Sequence, residues 1–273
     1  MNPQALLSAL RACTVVELEH PRAFADPTFP AHQPGFVYSL HRRHEPGLGE
    51  PRTSASGLVI CAEHSGTHID ALCHQAEHLR LHGGIQVRPD VQGPRGFTRL
   101  GVEEVDPILA QGVLLDVAAL HGQVLPERHQ VTAEELAACE RRQALTVGEG
   151  DVVAVRTGYG AYWDDPERYQ QAAGISAAGS QWLADRRVRA VGADNLSWDV
   201  PLVVDDTTGS TLPGHVILLV RAGIYILENL LLEELSDRKA YEFVFVCLPL
   251  KMKGVTGSPV RPIALLPPHP ESR

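Results

Sequence analysis

Apolar residues gather in short runs along the chain, at Gly57 to Ala62, Val113 to Val117, Asp151 to Arg156, Val188 to Ala193 and Tyr241 to Leu248. The runs at 113–117, 151–156 and 241–248 are mostly apolar, as strands covered on both faces are, with Asp116 and Glu242 as interruptions. Helical patterns alternate with them. Thr132-Ala133-Glu134-Glu135 is a capping-box pattern that opens a helix to about Ala144. Ser176 to Arg187 reads as a second helix, and His215 to Ala222 as a third with Gly223 as its stop. A short strand, Ile224 to Leu227, follows. This alternation predicts an α/β domain with a mixed sheet. The turn-rich first hundred residues add antiparallel strands or ribbons. Within them, His20 to Pro51 reads as long loops around one short strand, Phe36 to Leu40. With no repeat, low-complexity block or linker, residues 1–273 read as a single domain with loose N-terminal loops and a loose tail from Pro267.

Composition narrows the class. The formal charge is −9, and no stripe of Lys and Arg is present, so neither a nucleic-acid partner nor an anionic membrane surface is expected. The five cysteines, Cys13, Cys61, Cys73, Cys139 and Cys247, are odd in number and form no C-x-x-C, the usage of a reduced compartment. The apolar stretch Leu6 to Leu10 is too short for a secretion signal or a membrane span. The expectation is a soluble cytoplasmic protein.

The strongest chemical signal is a cluster of histidines. Five of the thirteen fall at positions 64, 68, 74, 78 and 82, and the string His64-Ser65-Gly66-Thr67-His68-Ile69-Asp70-Ala71-Leu72-Cys73-His74 adds a carboxylate. Imidazole and carboxylate are donors that borderline divalent metals take. Gly66, Thr67 and Ile69 disfavour a helix here. A strand, Leu58 to Ala62, running into a glycine-centred bend would let His64 and His68 converge, and extended chain beyond it would put His68 and Asp70 on one face. Three ligands and an open position form a catalytic rather than a structural site. His74 could reach the water without ligating, as a proton-transfer group; it could also be a ligand or a core histidine. His78 and His82 could continue a helix face from His74, or be exposed or supporting groups.

A second cluster lies downstream. His215 opens an apolar helix, and the apolar strand from Ile224 ends on Glu228, where a buried carboxylate is costly unless paired or metal-bound. The two could face the same site, or be ordinary surface residues.

The string His64-x-Gly66-Thr67-His68-x-Asp70-Ala71-x-x-His74 resembles the H-x-G-T-H-x-D-A-P-x-H signature of the cyclase family, which includes bacterial kynurenine formamidases and isatin hydrolases. Gly223-Ile224-Tyr225-Ile226-Leu227-Glu228-Asn229-Leu230 resembles a second string of that family. The resemblance implies a twisted, barrel-like mixed sheet flanked by helices, and a homodimer or homotetramer. It implies that His64, His68 and Asp70 bind a catalytic Zn²⁺ or Mn²⁺, that Asp70 bridges to a second ion held by His215 and Glu228, and that His74 is the general acid/base. Leu72 replaces the family's proline, and the chain is longer than typical kynurenine formamidases, so the resemblance does not fix N-formylkynurenine as substrate.

Three aromatics fall in the five residues 159–163, after a predicted strand, in a chain only 5% aromatic. Arg156, Tyr159 and Trp163, with Trp198, could wall a pocket for a planar substrate carrying a carboxylate, or simply pack beneath their loops. No G-x-S-x-G elbow occurs, and Cys73 reads as a small buried residue rather than a nucleophile. The expectation is a metal-dependent hydrolase that opens an amide or lactam C–N bond of a small carbonyl substrate. Its rivals are lactone hydrolysis, cyclisation or dehydration on the same site, and a metal-binding protein without activity.

Overall fold

The computed structural model describes residues 2–47, 50–201 and 204–268. Nine strands form one sheet, numbered here along the chain: β1 (Thr14–Glu17), β2 (His68–Asp70), β3 (Ile108–Asp116), β4 (Val152–Arg156), β5 (Ala190–Ala193), β6 (Tyr225–Glu228), β7 (Glu242–Cys247), β8 (Gly257–Pro259) and β9 (Ile263–Leu266). Their order is β1-β9-β7-β3-β4-β5-β6-β2-β8. The central β3-β4-β5-β6 run is parallel, and the flanking pairs are antiparallel. The predicted α/β class with a mixed sheet is thus observed.

Strand alternation builds two cores from one sheet. Val113, Leu115, Val153, Val155, Val191 and Ile226 face one way, against Leu136, Leu183, Leu218 and Leu219 of the covering helices. Leu114, Val152, Ala154, Leu227 and Ile69 face the other, against Val16, Phe243, Phe245 and Leu235. A strand buried on both faces must be apolar at every position, as at 113–115 and 152–155, whereas the run expected to be covered at 241–248 buries only one face, with Glu242 and Val244 exposed.

The helices follow local signals closely. In α1 (Pro3–Ala12), which the sequence reading did not anticipate, Asn2 caps the first turn and no residue is buried. The short α2 (Val117–His121) is capped by Asp116 and stopped by Gly122 at φ 72°. In α3 (Ala133–Gln143) the Thr132–Glu135 capping box is present as expected. Ser176 caps α4 (Ala177–Asp185). The helix expected over 215–222 is instead one α-turn, Pro213–His215, running into a π-helix, Val216–Ala222, with Gly223 at φ 72° ending it. No helix continues from His74. His78 and Leu79 have positive φ, which breaks the four-residue spacing, so His78 is exposed and His82 binds the Val220 carbonyl.

The strand in the Pro- and His-rich segment is longer than expected, Phe36–Arg42, and pairs with Ser56–Cys61 in an antiparallel ribbon. The tail from residue 269 lies outside the described residues. No helix among the described residues is long and apolar enough to cross a membrane.

Candidate metal centre

The site is built on the antiparallel pairing of β2 with β6. His68 and Asp70 project from one face of β2 while Ile69 packs into the opposite core. Register then sets their neighbours: Glu228 stands across from His68, and Ile226 across from Asp70. His215 comes from the turn of helix before the π-helix, on the side of the sheet that the helices cover.

The bend that delivers His64 is held from outside. Gly66 sits at φ 56°, and a Cβ there would meet the Arg22 guanidinium at 2.5 Å. Arg22 donates to the carbonyls of Ser65 and Thr67 on either side of it. Asn229, just beyond Glu228, donates to the Gly66 carbonyl (2.9 Å). The bend predicted from the glycine is therefore tied to both the N-terminal segment and the end of β6.

Four donor groups alternate around a common centre. His68 Nε2 lies 3.6 Å from Asp70 Oδ1 and 3.3 Å from Glu228 Oε2. His215 Nε2 lies 3.5 Å from Asp70 Oδ2 and 3.4 Å from Glu228 Oε1. Each carboxylate thus turns one oxygen to each imidazole. Donors about 2.1 Å from a tetrahedral ion stand about 3.4 Å apart, which these spacings match.

The hydrogen-bonding around the ring says what belongs inside it. His68 Nδ1 donates to the Gly66 carbonyl (2.8 Å), and His215 Nδ1 donates to Asp199 Oδ2 (2.8 Å). Both Nε2 atoms consequently face carboxylates, an arrangement that needs positive charge between them, either a proton on each ring or a metal cation. His68 Nε2, Asp70 Oδ2 and Glu228 Oε1 are buried without a hydrogen-bond partner. Asp70 is 1% exposed and Glu228 5%, and no Lys or Arg among the described residues pairs with either. Two facing buried carboxylates therefore need positive charge from the two imidazoles or from a metal ion. Burial opposes charge on His68 and His215, yet the surrounding carboxylates outweigh it and raise both imidazoles' affinity for a proton. The donor set fits a divalent ion.

His64 is brought to the same cluster but makes other bonds: Nδ1 is 2.7 Å from Asp70 Oδ1, and Nε2 is 2.8 Å from Thr256 Oγ1. Its ring lies over Gly257 of β8, where a Cβ would come within 2.6 Å of it. His64, His68 and Asp70 still offer donor atoms within 4.8 Å of one another, as do Asp70, His74 and His215.

His74 packs against His64 with ring centroids 3.9 Å apart and planes inclined at 31°, and its ring lies 6.0 Å from that of His215. Burial, with neighbouring imidazoles adding to it, pushes its pKa down to about 3. It lines a cavity of about 230 Å³ with Phe29, His32, Leu196, Leu212, His215 and Glu228. A wider opening, about 710 Å³, shares His32, His64 and His74 and leads out past Val59, Leu250 and Met252.

The four aromatic-loop candidates do not line either space. Arg156 pairs with Asp116 (3.1 Å) and Glu233 (3.6 Å). Tyr159 is buried edge-on to Tyr162, and Trp163 stacks on His20 at 4.3 Å. Trp198 is fully buried and donates to Ser180 Oγ (3.0 Å). Packing, rather than a pocket wall, explains this local concentration of aromatics. Cys73 is buried, with its thiol pKa pushed up to about 12 by burial, which removes it as a nucleophile.

Several site residues had no distinct signal. Asp199 follows Trp198 directly, yet nothing local ties it to His215. Phe29 and His32 lie in the Pro- and His-rich segment, whose composition alone hinted at them. Thr256 is 192 residues from the histidine it meets.

Known proteins share this architecture. A crystal structure of a novel cyclase superposes with a TM-score of 0.83 at 28% identity, over 97% of this chain and 91% of that one. Isatin hydrolase A from Ralstonia solanacearum has the same fold, with a TM-score of 0.75 at 22% identity, covering 97% and 98% of the two chains. In sequence, a kynurenine formamidase of Delftia acidovorans is 32% identical over 114 residues, 41% of this chain and 47% of its own length. Cyclase-like protein 2 of Oryza sativa subsp. japonica is 27% identical over 209 residues, 74% of this chain and 62% of its own. The chain thus aligns with less than two thirds of either relative. Residues 16–200 match the Cyclase family, described as "Putative cyclase", and the chain belongs to that family.

Proposed function

We propose that this protein is a metal-dependent hydrolase that opens an amide or lactam C–N bond of a small, apolar, ring-bearing carbonyl substrate. The observation that carries the reading is the ring of buried donor groups, two carboxylates and two imidazoles, beside a cavity. His64, His68, Asp70, His215 and Glu228 would hold one or two ions, Zn²⁺ or Mn²⁺, with Asp70 turning Oδ1 to the His64 and His68 side and Oδ2 to His215. A bound divalent ion supplies Lewis-acid polarisation of a carbonyl and lowers the pKa of water.

The chain's own groups do the rest. His74, neutral at physiological pH, accepts a proton from the attacking water and returns it to the leaving nitrogen. Gln75 donates to His74 Nε2 (3.2 Å) in this structure, a hydrogen bond that must give way to the water for this nitrogen to take its proton. Phe29, Leu196 and Leu212 give the cavity apolar walls that exclude bulk water and suit a flat, uncharged ring. The relatives named for formamide and isatin hydrolysis support this substrate class.

The test is metal analysis of freshly purified protein, with a panel of aryl formamides, isatins and lactones followed by absorbance. Metal near one or two equivalents and turnover of a C–N substrate are expected. His74→Ala should keep the metal and lose about 10²–10⁴-fold in kcat. Metal binding without turnover of any panel member would overturn the hydrolase reading, and loss of metal in His74→Ala would overturn the role of His74.

A further inference from the structure

Away from the candidate centre, three other potential ligands converge. His121 is the last residue of α2, and Gly122 at φ 72° turns the chain back immediately after it. His129 precedes the short strand Gln130–Val131. Its N–H donates to the Pro126 carbonyl (3.1 Å), and its carbonyl accepts from Gly174 (3.0 Å). Glu135 lies in the first turn of α3, where Oε2 accepts from the Thr132 N–H (2.8 Å) as part of the capping box. All three stems are therefore fixed by backbone structure, and the carboxylate is already oriented by a hydrogen bond of its own, as metal-binding carboxylates commonly are.

The side chains meet at one oxygen. Glu135 Oε1 is 2.7 Å from His121 Nε2 and 2.9 Å from His129 Nε2. The two rings are 5.8 Å apart and inclined at 66°, so they approach that oxygen from different directions. All three donor atoms lie within 4.8 Å of one another. As the groups stand, both Nε2–H bonds donate to a single acceptor. If each neutral ring carries its proton on Nδ1 instead, two lone pairs and a carboxylate oxygen face one point. Two imidazoles and a carboxylate are a donor set for Zn²⁺ or Cu²⁺.

We propose that His121, His129 and Glu135 form a second divalent-cation site, separate from the catalytic centre, which clips α2 to α3 across the segment between them. The side chains are 37%, 28% and 16% exposed, so the remaining coordination positions open to solvent. None of the three lines the cavity beside His74. The ion at this site stabilises the fold and takes no part in turnover. Because only the folded chain brings the three donors together, binding stabilises the native state by mass action.

The test uses metal-loaded protein dialysed against added ZnCl₂, with bound zinc counted for the wild type, His121→Gln, His129→Gln and the double variant. Glu135 stays intact because it caps α3. The wild type is expected to hold one more ion per chain than the double variant, with each single variant at least about 10-fold weaker. Excess zinc should raise the melting temperature of the wild type by a few degrees beyond that of the double variant. Cu²⁺ added to the metal-loaded wild type should show an electron spin resonance signal with two nitrogen ligands that the double variant lacks. Equal zinc counts in wild type and double variant, with native circular dichroism in both, would overturn the proposal. So would a Cu²⁺ signal unchanged by the two substitutions.

Discussion

Glu228 stands directly opposite His68 in the antiparallel ladder between β6 and β2, and their side chains meet at 3.3 Å inside the protein. A cross-strand pair at this position places a carboxylate against an imidazole whose outer nitrogen already donates to the Gly66 carbonyl. The contact needs either a proton on Nε2 or a metal ion beside it. Its burial is the observation that most favours the proposed metal site.

Removing that carboxylate should weaken metal binding. Glu228→Gln removes the negative charge that faces His68 and His215 and would face the ion. Metal affinity should fall by at least about 100-fold, and the metal-induced rise in melting temperature should vanish. Calorimetric scans with and without chelator measure both effects. Unchanged metal affinity in the variant would contradict a ligand role for Glu228.

Asp199 acts through His215. It accepts from His215 Nδ1 and also from the N–H groups of Gly214 (2.6 Å) and His215 (3.2 Å). Asp199→Asn presents an N–H to the ring and favours the opposite tautomer, turning Nε2 into a donor. Metal affinity should drop by about 10–100-fold with little change in the circular dichroism spectrum. Titration with a chromophoric chelator gives the affinity.

Gly257→Ala should disturb the centre without touching a donor. The new Cβ would lie 2.6 Å from His64 Cε1 and 3.0 Å from Nδ1, so the ring must leave Asp70. Overpacking of this kind costs about 1–3 kcal/mol. Denaturant unfolding should show that loss, and metal content should fall with it.

His20 makes stability depend on pH. It is buried against Trp163, and burial lowers its pKa to about 4 from the ordinary 6.5. Above pH 6.5 neither folded nor unfolded chain carries this proton, and the contribution to stability is whole. As the pH falls below 6.5 the unfolded chain takes up the proton while the folded chain does not. By pH 4 the loss approaches about 3 kcal/mol. His20→Phe keeps an aromatic ring against Trp163 and should flatten the profile between pH 6.5 and 4. Urea unfolding of metal-free wild type and variant across this range isolates the effect.

Much of the site was legible because its signals are local. Donor type is written in each residue, and strand alternation puts His68 and Asp70 on one face without reference to any partner. Gly66 marked the bend, and the Thr132–Glu135 box marked a helix start, because both depend on interactions spanning only a few residues. His74, His215 and Glu228 stood out from their positions with their roles open, and the resemblance in two short strings assigned those roles. The aromatics at 159–163 misled for the same reason: a cluster in sequence says that large rings are near one another, not whether they face a cavity or a core.

From its sequence alone, this protein carries the donors, their short-range spacing, the faces of its strands and an α/β order of elements. Only the tertiary structure decided that β6 pairs with β2 in the register that sets Glu228 against His68, that Asp199 fixes His215, and that Thr256 reaches back to His64. It also sent Arg156 and Trp198 into internal bonds. Periodicity reports which side of an element is buried, but strand register and long-range hydrogen bonds arise from packing among segments far apart in the chain, and that information is not held in any one of them.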